Sequence, residues 1–191
     1  MANRPNILLI MAEQTRWDTI GALGNPFIQT PALDRLVAEG TSFTSAYCTA
    51  PVCVASRCSL VLGRYPYQTG CTANSPMPQD ETSLMQILNA EGYQTHGVGK
   101  MHFVPDSHKA WGFESREYAE EGGMREGDDY CDYLKRTGYE HIHDPYGIRS
   151  EYYYVPQPSQ LPARVHNTQW VGDRSLEFLG RRETDRPFFL W

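Results

Sequence analysis

The chain has 191 residues, enough for one domain with a real core, and its composition is that of an ordinary globular protein. Acidic residues outnumber basic ones 23 to 17 and are scattered, so no clustered Lys/Arg face is available for nucleic acid and no nucleic-acid partner is expected. The five cysteines (Cys48, Cys53, Cys58, Cys71, Cys131) include no C-x-x-C pair, which argues against a complete disulfide scaffold and a structural zinc site and makes reduced thiols the default.

The first apolar run, Ile7 to Met11, is bounded by Pro5 and by Glu13-Gln14 and lacks alternation, which suits a strand buried on both faces. It is too short for a signal-peptide core or a bilayer span, so a cytoplasmic protein with no membrane partner is expected, or one that has lost its leader. In TPALDRLVAEG, Thr30 is a natural N-cap, Pro31 fits the first helical position, Leu33, Leu36 and Val37 share a face, and Gly40 supplies the stop. A strand is expected over 41–47, a helix over 56–62 ended by Gly63 and Pro66, and a helix over 82–91 that stops at Gly92. A strand over 94–98 then leads into a loop with Lys100 and His102.

The stretch 106–162 is rich in Tyr, Gly, Asp and Pro without sustained periodicity and reads as a surface excursion. A helix is expected over 166–182, with Trp170, Val171, Leu176 and Leu179 on its apolar face, and a buried strand over 187–191. Strands alternating with helices predict an α/β fold, a largely parallel sheet with helices on both faces. Ligands of such sheets collect at the carboxyl ends of the strands, where Glu13-Gln14, Cys53 and Lys100/His102 all fall.

Each group admits two readings. Cys53, just ahead of a helix and one turn from Arg57, sits in a field that favours an anion, either its own thiolate or a bound sulfate or phosphate ester; otherwise it is a small buried hydrophobe. Glu13 and Gln14 offer oxygen ligands suited to calcium or magnesium rather than zinc, or else form a solvated turn. Lys100 and His102, two apart, project together on an extended segment and could hold ester oxygens and handle a proton, or are simply exposed loop residues.

Several segments together resemble the sulfatase family. CVASRCSLVLGRYPYQTG, beginning at Cys53, resembles its Cys-x-Pro/Ala-x-Arg signature, PNILLIMAEQTRWD its first strand and metal loop, TPALDRLVAEGTSFTSAYC its first helix and second strand, and GVGKMHF its Gly-Lys-x-His motif. HNTQWVGDRSLEFL and DRPFFLW resemble the helix and strand that follow. The resemblance implies an alkaline-phosphatase-like α/β fold and hydrolysis of a small-molecule sulfate ester. Cys53 would be the precursor of formylglycine, whose hydrate attacks sulfur. Arg57 would stabilise that diol, Lys100 would contact sulfate and His102 the diol. Glu13, Gln14 and the modified Cys53 would ligate a divalent cation, usually Ca2+, with Mg2+ or Mn2+ as alternatives. It further implies a maturase partner, either formylglycine-generating or of the anaerobic type, the latter suited by Ala55.

Glu13 stands where the family usually has Asp, and Gln14 where it often has a second Asp. Gln at that place is shared with a branch resembling choline-sulfatase-like enzymes and phosphonate monoester hydrolases, which makes phosphonate or phosphodiester hydrolysis the alternative activity. No Asp-His-Gly segment occurs in the chain. The expectation is therefore an N-terminal part of a sulfatase-type catalytic domain, with its sheet incomplete at the C-terminus. A catalytically inactive fragment is the remaining reading.

Overall fold

The computed structural model describes residues 4–148 and 155–191. In chain order its strands are β1 (Ile7–Leu8), β2 (Gln94–Gly99), β3 (Ser115–Tyr118) and β4 (Phe188–Leu190), and its helices α1 (Pro31–Glu39), α2 (Cys53–Leu62), α3 (Pro66–Thr69), α4 (Leu84–Ala90), α5 (Asp129–Arg136) and α6 (Asn167–Arg181). Two units are distinguishable: Met1–Leu9 with Thr49–Trp191, and Ile10–Cys48.

In the larger unit the four strands form one parallel sheet of order β1-β4-β2-β3, so the last strand in the chain is inserted between the first and second. The apolar run Phe188-Phe189-Leu190-Trp191 explains why. Its side chains alternate, Phe188 and Leu190 joining one core with Val98, Tyr130, Leu134, Trp170 and Phe178, and Phe189 and Trp191 joining another with Val54, Val61, Met85 and Phe103. A strand without polar alternation is stable only when covered twice. Helices α2 and α4 supply one cover, α5 and α6 the other, and the fold is the α/β class expected, with helices on both faces.

The helix expected over 82–91 begins at Leu84 behind a capping box in which Ser83 Oγ accepts from Gln86 N–H (3.1 Å) and Gln86 Oε1 accepts from Ser83 N–H (2.9 Å). The stretch 106–162 holds more structure than a surface excursion. Its SREY segment is the edge strand β3, and α5 buries Tyr130, Cys131 and Leu134. Edge strands carry charge rather than a hydrophobic signature, and a two-turn helix gives little periodicity to read. Residues 149–154 of that stretch lie outside the described residues.

The smaller unit is organised around α1. Thr30 does not cap α1 through its side chain, as the sequence suggested; its Oγ1 instead donates to Asp34 Oδ1 (2.7 Å) and accepts from Gly21 N–H (2.8 Å). The strand expected over 41–47 does not form. Thr, Phe and Tyr give this segment β propensity, but no strand exists among the described residues of its unit to pair with, and propensity without a partner ladder is insufficient.

Candidate active site

Helix α2 starts at Cys53, with Val52 in extended backbone at the N-cap position and contributing no side-chain cap. The first amides of a helix have no internal partners. Here Val54 N–H donates to Asn74 Oδ1 (3.2 Å). Because Val54, Ala55, Cys58, Val61 and Leu62 turn into the core, Cys53 is left half-buried at the helix start. The other thiols are distinguishable. Cys48 is exposed, while Cys58, Cys71 and Cys131 are buried, and burial pushes the Cys58 and Cys131 thiols up to about 11, which keeps them protonated and unreactive.

Arg57, one turn after Cys53, is 5% exposed and donates from Nη1 to the Lys100 carbonyl (2.8 Å). It thereby ties α2 to the loop leaving β2. On that loop the Lys100 ammonium lies 3.7 Å from Cys53 Sγ and 2.9 Å from Glu121 Oε2. Cys53, Arg57, Lys100 and the turn containing His102 are thus brought together at the carboxyl end of the sheet, although Lys100 and Cys53 are 47 residues apart.

The Lys100–His102 segment is a turn, not the extended stretch the two-residue spacing suggested. Gly99 has φ 91° and His102 φ 50°. Burial still alternates, with Met101 and Phe103 in the core and Lys100 and His102 half-buried. Burial of the ring and the adjacent Lys100 cation hold the His102 imidazole below its ordinary value, with Glu120 and Glu121 opposing, so the ring is neutral at pH 7. Its Nδ1 is buried and has no hydrogen-bond partner among the described residues.

Two carboxylates at this site were not picked out from the sequence. Glu120, 6% exposed, accepts on one oxygen from Met101 N–H (3.0 Å) and His102 N–H (2.7 Å), and its own N–H donates to Asp128 Oδ2 (2.8 Å). Glu121 pairs with Lys100. Both follow β3, and the rule that placed Lys100 at a strand's carboxyl end would have found them had SREY been read as a strand.

Glu13 and Gln14 belong to the other unit. Both are exposed; Gln14 has φ 48°, and Thr15 Oγ1 donates to the Glu13 carbonyl (3.3 Å). A carboxylate and an amide oxygen fit a hard cation in kind, though two side chains fall short of the six to eight oxygens that calcium gathers. Among the described residues no three His, Cys, Asp or Glu side chains group to hold a metal ion, and no helix is long and apolar enough to cross a membrane.

Comparison with known proteins identifies the family. The chain is similar to an arylsulfatase of Clostridium perfringens, 34% identical over an alignment of 206 positions that takes in 98% of this chain and 42% of the relative. It is also similar to the steryl-sulfatase of Homo sapiens, 35% identical over 124 residues, 59% of this chain and 21% of the relative. Among solved structures, the phosphonate monoester hydrolase of Agrobacterium radiobacter shares the fold with a TM-score of 0.77 at 20% identity, over 98% of this chain and 40% of that one. Ps i-CgsB matches with a TM-score of 0.71 at 26% identity, over 98% and 44%. The chain spans less than half the length of each of these proteins. The sulfatase family model matches residues 5–191, and the chain belongs to the sulfatase family.

Proposed function

We propose that the protein carrying this chain hydrolyses small sulfate esters, with Cys53, converted to formylglycine, as its nucleophile. The observation that carries this reading is the half-buried Cys53 in the first turn of α2 with the Lys100 ammonium 3.7 Å from its sulfur. A helix start and a cation favour an anion at that point, as a sulfate ester requires. Lys100 would receive the anionic ester oxygens. Arg57 holds the Lys100 backbone by its carbonyl, and His102, neutral at pH 7, is in the form that can accept a proton. When present, formylglycine supplies a diol nucleophile and a divalent cation, Ca2+ or else Mg2+ or Mn2+, supplies positive charge, with Glu13 and Gln14 as its proposed ligands. Conversion of Cys53 calls for a maturase, and Ala55 suits the anaerobic type.

The test is to co-express the intact protein with a maturase of each class, map the mass of the peptide holding Cys53, and assay 4-nitrophenyl sulfate. Conversion of the thiol to the aldehyde, together with turnover, is expected. Unmodified Cys53 under every maturase, with no hydrolysis, would sink the proposal. Gln14, where much of the family has Asp, favours a second reading, hydrolysis of phosphonate monoesters or phosphodiesters. Comparing kcat/KM for 4-nitrophenyl sulfate and 4-nitrophenyl phenylphosphonate separates the two.

A further inference from the structure

We infer that Glu120 is a positioning residue, whose carboxylate holds the Lys100–His102 turn, which carries both functional side chains, in the geometry that presents Lys100 to Cys53. An ionised carboxyl is costly to bury unless its oxygens are satisfied, and Glu120 is 6% exposed. Its partners are the two consecutive N–H groups of Met101 and His102, at 3.0 and 2.7 Å, converging on a single oxygen. Strand β2 ends at Gly99, so the sheet offers these amides nothing. Successive amides pointing at one anion form a nest, and the chain leaves this one through His102 in left-handed backbone, φ 50°. Left-handed backbone in a non-glycine residue persists only where its surroundings impose it.

The carboxylate is itself fixed. Glu120 N–H donates to Asp128 Oδ2 (2.8 Å), and Asp128, 2% exposed, caps α5 by accepting from Cys131 N–H on its other oxygen (3.0 Å). Arg57 grips the same turn from the opposite side through the Lys100 carbonyl. The turn is therefore held at two successive peptide units: the one joining residues 100 and 101 by the Arg57 cation on its carbonyl and the carboxylate on its N–H, and the one joining 101 and 102 by the same carboxylate. No substrate contact is assigned to Glu120; it acts through His102 and Lys100.

The test compares Glu120→Met, close in size but without an acceptor, and Glu120→Gln, which keeps one, in the intact protein. Hydrogen exchange followed by mass spectrometry should find the Met101 and His102 amides of the unaltered protein protected. The Met variant should raise their exchange about 10-fold or more while α6 keeps its protection, and the Gln variant should stay close to the unaltered protein. Turnover of 4-nitrophenyl sulfate should fall about 100-fold in kcat for Met with KM nearly unchanged, and recover most of the loss for Gln. Unprotected Met101 and His102 amides in the unaltered protein would overturn the inference, even if the Met variant does not fold. So would uniformly faster exchange across the Met variant, or a Gln variant no better than Met. The kinetic arm rests on the proposed function and the exchange arm does not. An unaltered protein without sulfatase activity therefore counts against the function, while exchange still decides the role of Glu120.

Discussion

Three non-glycine residues among those described sit in left-handed backbone, Gln14 at φ 48°, His102 at φ 50° and Trp111 at φ 49°, and the first two, both in loops that carry proposed site residues, are held in opposite ways. The His102 loop is gripped by a buried carboxylate on its amides and a buried guanidinium on its carbonyl. The Gln14 loop has exposed side chains and belongs to a unit in which no described residue is buried. Where the fold imposes a strained conformation, its cost is met by packing before any ligand arrives; where packing is absent, a ligand is the natural agent that could meet it. The difference teaches that the proposed anion-handling groups are preorganised by packing, whereas the side chains of the proposed cation-holding pair lie exposed.

The comparison breaks most decisively at Cys53. Cys53→Ala should abolish hydrolysis, by about 10⁴-fold or more, because a nucleophile cannot be replaced by positioning. The same variant should fold normally, since Cys53 is not part of the core formed by Val54, Ala55 and Cys58. Activity and the urea midpoint measured on one preparation check both halves; a variant that keeps measurable turnover would remove Cys53 from the chemistry.

Much of the frame behind that expectation was readable in the chain. PFFLW announces a twice-covered strand by its unbroken apolar run, and TPALDRLVAEG announces α1 by its Pro and Gly punctuation. Cys53 and Arg57 show their relation at helical spacing. The approach of Lys100 to Cys53 across 47 residues was readable only as a shared place at the carboxyl ends of the strands, because no local rule fixes a long-range contact. Glu120 and Glu121 were hidden behind β3, whose Ser-Arg-Glu-Tyr sequence alternates no apolar residue and so offers no period. The failed strand at 41–47 is the converse, local propensity without a partner.

Calcium sharpens the other side of the comparison. Added to the intact, matured protein at about 100 times its Kd, it should stabilise the folded state by about 2.7 kcal/mol. Glu13→Ala should remove that gain while leaving the calcium-free midpoint near its original value, as befits an exposed side chain. A thermal-shift titration reads both. A calcium response that survives Glu13→Ala would take the cation away from this loop.

A smaller effect is expected at Glu121, whose carboxylate lies 2.9 Å from the Lys100 ammonium and is 28% exposed. An incoming ester anion must share that cation with it. Glu121→Gln should therefore lower KM for 4-nitrophenyl sulfate and the inhibition constant of free sulfate together, by about fivefold, within the range of a partly solvated ion pair. Raised values for both would mean that Glu121 positions Lys100 instead of competing for it.

The smallest effect is a pH dependence that the buried turn alone should show. Burial and the Lys100 cation lower the His102 imidazole from its ordinary 6.5, so the unfolded chain takes up a proton near that pH while the folded protein does not until lower pH. The unfolded state then binds more protons within this window, and stability falls as pH falls through it. Above 6.5 the contribution is constant, and below the folded value the loss is complete. Urea midpoints of the intact protein should decline on acidification through this window, and His102→Gln should flatten part of that decline. Lys100→Gln should weaken it too, because removing the neighbouring cation lets the folded value rise toward the ordinary one. Gln14 has no titrating group to behave this way, so a slope insensitive to both substitutions would mean that the His102 turn is solvated much as the Gln14 loop is, and the contrast between the two would be lost.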